Sequence, residues 1–182
     1  MATGQAERLV PLIEEVLEEA GLRWRDLHGI GVGTGPGNFT GVRIGVALAR
    51  GLALGLSVPA VGVTAFEALG WGLADALLVR DARLGQVYLQ LSGAEGWGPE
   101  TVALDGPWPP VPPGLPVVGD LAEEVAARVG GTARPPCLPV AEAVARVALA
   151  RLGQASPRPA PLYLRAPDAA PPRDPPPSIL PG

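Results

Sequence analysis

The chain has 182 residues, 47% of them apolar, and a formal net charge of -4. That length suits one domain or two small ones with a real core, and the acidic balance argues against an unaided grip on nucleic acid, which calls for a basic patch. A single cysteine, Cys137, and a single histidine, His28, exclude an intramolecular disulfide, a cysteine-based zinc site and paired-histidine metal motifs.

Every basic residue is arginine, and Asn38 is the only asparagine. With proline abundant, this composition points to a thermophile. No charged-then-apolar leader pattern opens the chain, so the expected compartment is the cytoplasm. The first expected helix is Glu7–Ala20. Leu9, Leu12, Ile13, Val16, Leu17 and Ala20 recur at helical steps, and Glu14, Glu15, Glu18 and Glu19 form the wet face. Pro11 sets the start of the regular part near itself, and Gly21 is a natural stop. Ile30–Gly33 reads as a short strand. A helix from about Gly41 to Leu54 follows, capped by Thr40 or Asn38. Val42, Ile44, Val46, Ala47, Leu48, Leu52 and Leu54 surround it, which predicts burial on more than one side. The run from Val42 to Val63 carries Arg43, Arg50 and Pro59 and reads as buried helix and strand, not as a membrane span.

Pro59–Val63 is the next strand, and Thr64–Glu67 is a capping box opening a helix to about Ala74. Ala76–Val79 returns as a strand, Asp81–Gly85 as a hairpin-like turn, Gln86–Leu91 as an alternating strand and Thr101–Leu104 as another. After a proline-rich connection, Val117–Asp120 reads as strand and cap. Leu121–Val129 and Val140–Leu152 read as helices, and Leu162–Arg165 as a last strand or extended arm. Strands alternating with helices predict an α/β layered fold. The expected organisation is a first lobe over residues 1–75, with a glycine loop and two leading helices, and a second α/β lobe over 76–165. Residues 166–182, APDAAPPRDPPPSILPG, are expected to be a disordered tail.

The stretch from Gly29 to Gly55, GIGVGTGPGNFTGVRIGVALARGLALG, concentrates the chemistry. Its alternating glycines allow a backbone to pass close to another backbone or to a phosphate. The turn also delivers the free amides of a helix start, which attract anions. It is not a P-loop, because no lysine follows its second glycine. It is not the dinucleotide fingerprint either, because every GxGxxG frame ends on Thr34, Pro36, Asn38 or Thr40. Two readings stay open on the residues alone: another phosphate loop, using Thr34, Gly35, Gly37, Asn38, Thr40 and Gly41, or a structural turn. Asp81 and Arg83 are read as shaping the hairpin. Asp26, Asp75, Asp120 and Glu142 are isolated carboxylates, and Cys137 is expected to be a packed small side chain. The inventory is thin for an enzyme, with no nucleophile–base pair and no metal cluster. Gly41 with Gly45, and Gly51 with Gly55, would let a neighbouring helix come close.

Residues Gly31 to Leu69, GVGTGPGNFTGVRIGVALARGLALGLSVPAVGVTAFEAL, resemble the TsaB (YeaZ) family, bacterial subunits for threonylcarbamoyladenosine formation on tRNA. Asp81–Tyr88 (DARLGQVY), Pro161–Arg165 (PLYLR) and the ERLVPLI of the first helix are similar to further family segments, so the likeness runs from about Ala6 to Pro167. The resemblance implies an actin-like, Hsp70-like (ribonuclease H-like) two-lobed fold with a degenerate nucleotide site. It implies a non-catalytic scaffold subunit of the complex that modifies the adenosine beside the anticodon. Such a subunit pairs with a TsaD-like catalytic subunit, is joined by a TsaE-like ATPase, and forms a homodimer when the partner is absent. It meets tRNA only within the complex and does not engage a membrane.

No catalytic residue, no metal site and no required cofactor are expected; ATP or ADP would bind weakly at most, at the level of the complex. The resemblance also gives the two leading helices to the partner interface. The contacts expected there are Leu9, Ile13, Val16 and Leu17 on the first helix, and Val42, Gly45, Val46 and Ala49 on the second. Family members begin with further strands before that first helix. The first lobe of this chain, which starts almost at the helix, is therefore expected to be truncated and to expose strand edges. A rival reading is a small nucleotide-dependent kinase or ATPase of the actin-like superfamily that uses the glycine loop. It predicts ATP turnover by the chain alone, and the lack of lysine and of paired carboxylates argues against it.

Overall fold

A parallel strand pair and a mixed five-stranded sheet organise the chain, whose computed structural model describes residues 5–165. The expected tail, 166–182, lies outside the described residues. Along the chain come α1 (Gln5–Glu19), a 3-10 turn (Trp24–Asp26), β1 (Ile30–Gly33), α2 (Phe39–Leu56), β2 (Ala60–Val63) and α3 (Ala65–Leu69). Then follow β3 (Leu77–Arg83), β4 (Gln86–Leu91), β5 (Trp97–Ala103), β6 (Pro116–Gly119), α4 (Ala122–Val129), β7 (Thr132–Arg134) and α5 (Val140–Arg151). The α/β expectation holds. Strand β7 was not anticipated, and Leu162–Arg165 adopts no regular strand.

Three boundaries differ for local reasons. Helix α1 starts at Gln5 and carries Pro11 inside it. The proline removes one hydrogen bond, to the carbonyl of Glu7, close to the solvent-exposed helix start. Gly21, at φ 66°, then ends the helix as expected: its N–H bonds the Glu18 carbonyl (2.9 Å) while Leu22 N–H bonds the Leu17 carbonyl (2.8 Å). Helix α2 begins at Phe39 because Asn38, not Thr40, supplies the cap; its Oδ1 accepts from Gly41 N at 2.9 Å. Helix α3 forms on the Thr64–Glu67 capping box but stops at Leu69, where Gly70 N–H turns back to the Phe66 carbonyl (2.8 Å).

The pair β1–β2 is parallel, with Ile30 opposite Ala60 and Gly33 opposite Val63. The larger sheet runs β5-β4-β3-β6-β7, antiparallel from β5 to β3 and parallel from β3 to β7. Strand β3 is covered on both faces, which is why Leu77-Leu-Val79 is an unbroken apolar run. Leu77 and Val79 pack with Val87, Leu89, Val117 and Val125 of α4, while Leu78 packs with Phe66 and Leu69 of α3. Helix α5 follows the large sheet in sequence but packs back on β1 and β2. Gly31 makes that approach possible: a Cβ there would lie 2.8 Å from Ala148 Cβ and 3.4 Å from the Val144 carbonyl.

Helix α2 departs most from expectation. Only Val46, Ala49 and Ala53 of its 18 residues are buried, on the face seated against β1. Leu54 is 82% exposed. The helix is long and apolar enough to cross a membrane by length and composition; here one side rests on a sheet and the other carries Arg43, Arg50 and Leu54 outward. It is therefore buried on one side, not on several. Cys137 is free and exposed, not packed away.

An ion pair fastens α5 to α3. Arg151 Nη2 meets Glu67 Oε1, and Arg151 Nη1 donates to the Gly62 carbonyl of β2 (3.4 Å). Burial pushes the Glu67 carboxyl up, but the Arg151 hydrogen bond, the Thr64 amide and hydroxyl, and the Arg151 charge together hold it below its ordinary value of 4.5. A carboxyl lowered on folding adds stability above its unfolded pKa and loses it as pH falls through the folded one. Glu67→Gln is therefore expected to lower stability at pH 7 by about 1–2 kcal/mol, an amount already discounted for partial exposure. The deficit should shrink as pH falls below about 4.5, measured by urea midpoints from pH 7 to 3.

Candidate functional site

The turn leaving β1 has strict backbone requirements. Gly35 takes φ 92°, and the Gly35–Pro36 peptide is cis. Thr34 is 5% exposed; its N–H bonds the Val63 carbonyl and its own carbonyl accepts from Leu162 N–H, both at 2.8 Å. It thereby ties β1, β2 and the C-terminal arm together. A Cβ on Gly62 would fall 2.9 Å from the Thr34 methyl, so the glycine in β2 makes room for it.

Facing this turn stands the β3–β4 hairpin, and a cavity of about 840 Å³ opens between them, within the size range of ligand pockets. Gly37, Asn38, Thr40 and Val42 form one wall; Arg80, Asp81, Arg83, Leu84 and Tyr88 form the other, with Asp120 and the arm Leu162–Arg165 between. The hairpin wall is braced by carboxylates. Asp81 Oδ1 accepts from Arg83 N (2.7 Å), and Asp120 Oδ2 accepts from Asp81 N (3.0 Å) while standing 3.4 Å from Arg80 Nε. The hairpin-shaping expectation for Asp81 thus holds, and Asp120 joins it from the end of β6. On the opposite rim the Arg43 guanidinium lies 3.7 Å over the Phe39 ring and 5.3 Å over Tyr163, and its Nε donates to Tyr163 Oη at 2.6 Å.

Of the six loop residues expected at a phosphate site, Gly37, Asn38 and Thr40 line the cavity. Thr34 and Gly35 are buried behind that wall, and Gly41 gives its amide to Asn38. Arg80, Asp120, Phe39, Arg43 and Tyr163 were not singled out from sequence as site residues. Arg43 and Tyr163 are 120 residues apart in the chain, and no local pattern joins them. Among the described residues no group of three or more His, Cys, Asp or Glu side chains could hold a metal ion.

The expected interface residues divide. Leu17 (9%), Val46 (3%) and Ala49 (6%) are buried by the chain's own fold. Leu9, Ile13, Val42 and Gly45 are half-buried, and Val16 is 56% exposed. The seat of α2 sets this division: the stripe Val46–Ala49–Ala53 faces β1, which turns Ala47, Arg50 and Leu54 outward. Helix α1 buries its Leu9–Ile13–Leu17 side at least in part and leaves Leu12 and Val16 exposed.

The sequence profile described as "TsaD: tRNA N6-adenosine threonylcarbamoyltransferase" matches residues 2–101. Escherichia coli (strain K12) tRNA threonylcarbamoyladenosine biosynthesis protein TsaB is 39% identical over 88 residues, 45% of this chain. The match spans only 38% of that relative's length. Mycobacterium tuberculosis (strain H37Rv) protein Rv3421c is 38% identical over 175 residues, covering 93% of this chain and 79% of the relative. A Pseudomonas aeruginosa crystal structure described as similar to peptidase YEAZ superposes with a TM-score of 0.66 at 27% identity, over 88% of this chain and 84% of its own. The architecture is accordingly the actin-like, ribonuclease H-like α/β fold of YeaZ. A profile over more than half of the chain, the E. coli TsaB relative and the YeaZ fold agree, and the chain belongs to the TsaB (YeaZ) family.

Proposed function

We propose that this chain is a non-catalytic scaffold subunit of the tRNA N6-threonylcarbamoyladenosine complex, pairing with a TsaD-like catalytic subunit through the outward faces of α1 and α2. The carrying observation is a set of large apolar side chains left exposed on both helices. Helix α1 turns Leu9, Ile13 and Leu17 toward the rest of the chain but leaves Leu12 47% and Val16 56% exposed, and Leu54 of α2 is 82% exposed. Exposed apolar surface gathered on two helices marks a protein contact more than a solvated face. The name of the E. coli relative, a tRNA threonylcarbamoyladenosine biosynthesis protein, supports the pathway.

In this reading the catalytic chemistry belongs to the partner, and a TsaE-like ATPase joins the pair. tRNA is met only in the assembly, in the cytoplasm. Without the catalytic subunit the same helices pair two copies of this chain. No cofactor is required; ATP or ADP binds weakly at most, in the complex. The division into lobes at residues 75 and 76 is part of the same proposal. The test mixes the purified chain with a TsaD-type subunit from the same organism on a size-exclusion column at micromolar concentration. Co-elution in a stoichiometric peak is expected; two separate peaks overturn the reading.

A further inference from the structure

The tip of the β3–β4 hairpin is strained in an unusual way. The register sets Arg83 opposite Gln86, leaving Leu84 and Gly85 as a two-residue loop. Arg83, Leu84 and Gly85 take φ values of 62°, 52° and 72°. Two-residue loops with positive φ at both positions ordinarily hold asparagine or aspartate before glycine. A leucine there is a steric outlier, because its Cβ crowds the following carbonyl. Among the described residues no packing covers the side chain, since Leu84 is 79% exposed. A large apolar side chain is thus held in solvent, in a disfavoured conformation, on the rim of the cavity.

Its surroundings point the same way. The Arg83 amide serves Asp81, but among the described residues its guanidinium makes no hydrogen bond or ion pair. Across the mouth, Phe39 (37%) and Tyr163 (48%) are exposed and hold the Arg43 charge between them. The rim therefore sets apolar and cationic groups beside the Asp81 and Asp120 carboxylates, which are occupied by backbone amides and Arg80, and it sits at the N-terminal end of α2, whose outer face is offered for pairing.

We propose that Arg83, Leu84, Phe39 and Tyr163 form a second docking patch for the catalytic subunit, taking an acidic segment that carries an apolar side chain. This rests on the pairing proposed above. Charge complementarity selects a carboxylate for Arg83, and the exposed aliphatic Leu84, with the Phe39 and Tyr163 rings already engaged by Arg43, selects an apolar protein side chain over a nucleobase. The strain at Leu84 is kept because the contact needs that side chain in that place.

The experiment compares wild type, Leu84→Asn, Leu84→Gly and Arg83→Glu by thermal unfolding and by calorimetric titration with the TsaD-type subunit. Leu84→Asn is expected to raise the melting temperature by about 2–4 °C as the strain is relieved, while weakening pairing about tenfold. Leu84→Gly should weaken pairing to a similar degree. Arg83→Glu should weaken pairing about tenfold, more so at low salt, without moving the melting temperature. Wild-type pairing with unchanged affinity in all three variants overturns this patch and leaves the pairing proposal standing. Absence of wild-type pairing overturns both. Unchanged pairing with reduced tRNA retention by the assembled complex assigns the rim to RNA and also overturns the patch.

Discussion

Val16→Glu on the outer face of α1 is expected to cut affinity for the TsaD-type subunit at least about 100-fold, while shifting the melting temperature by less than about 2 °C. Val16 is 56% exposed on the side of α1 away from the buried Leu17, so the isolated chain loses little when the residue changes. In a helix–helix contact the same glutamate would be buried without a partner, which is costly. Val46→Glu is the informative control. Val46 is 3% exposed against the chain's own sheet, so a charge there should unfold the protein before it uncouples anything. If Val16→Glu pairs like wild type in calorimetry, the outward helix faces are not the docking surface. If both variants unfold alike, α1 belongs to the core after all.

Gly119→Ala should be the most damaging single methyl in the molecule, lowering stability by about 3–5 kcal/mol. Gly119 ends β6 at φ 127°, a region side chains rarely enter, and a Cβ there would stand 2.0 Å from the Val79 carbonyl. That carbonyl accepts the Asp120 amide at 3.0 Å, and the Asp120 carboxylate braces Asp81 and Arg80 on the cavity wall. The backbone must therefore move where β3 meets β6, and the hairpin loses its brace. Against a typical total of about 5–15 kcal/mol, such a loss leaves a marginal fold. Urea unfolding of the variant beside wild type checks this; a midpoint within error of wild type would show that β6 has room to shift.

Much of the architecture was legible because it is local. The Thr64–Glu67 box, the Gly21 stop and the Asp81 turn each satisfy amides within a few residues, and such signals survive without tertiary context. The short edge strand β7 carries no such signal: its three residues, TAR, pair with β6 only because α4 returns the chain there. The burial of α2 was misjudged for a related reason. An all-round apolar helix looks buried on every side, but composition does not say which sides have neighbours. Three of the six residues of the expected phosphate loop line the cavity and three pack or cap behind it, and Arg80 and Arg83 on the facing wall come from β3.

By itself the sequence determined the α/β class, the capped helix starts and the glycine-rich corner after β1, since each depends on backbone chemistry over a few neighbouring residues. Tertiary structure alone decided that α5 returns to β1, that Val46 and Ala49 face inward, and that Arg43 bonds Tyr163 of the C-terminal arm. Those outcomes depend on which surfaces come together when segments far apart in the chain exclude water, and no stretch of residues carries that information alone.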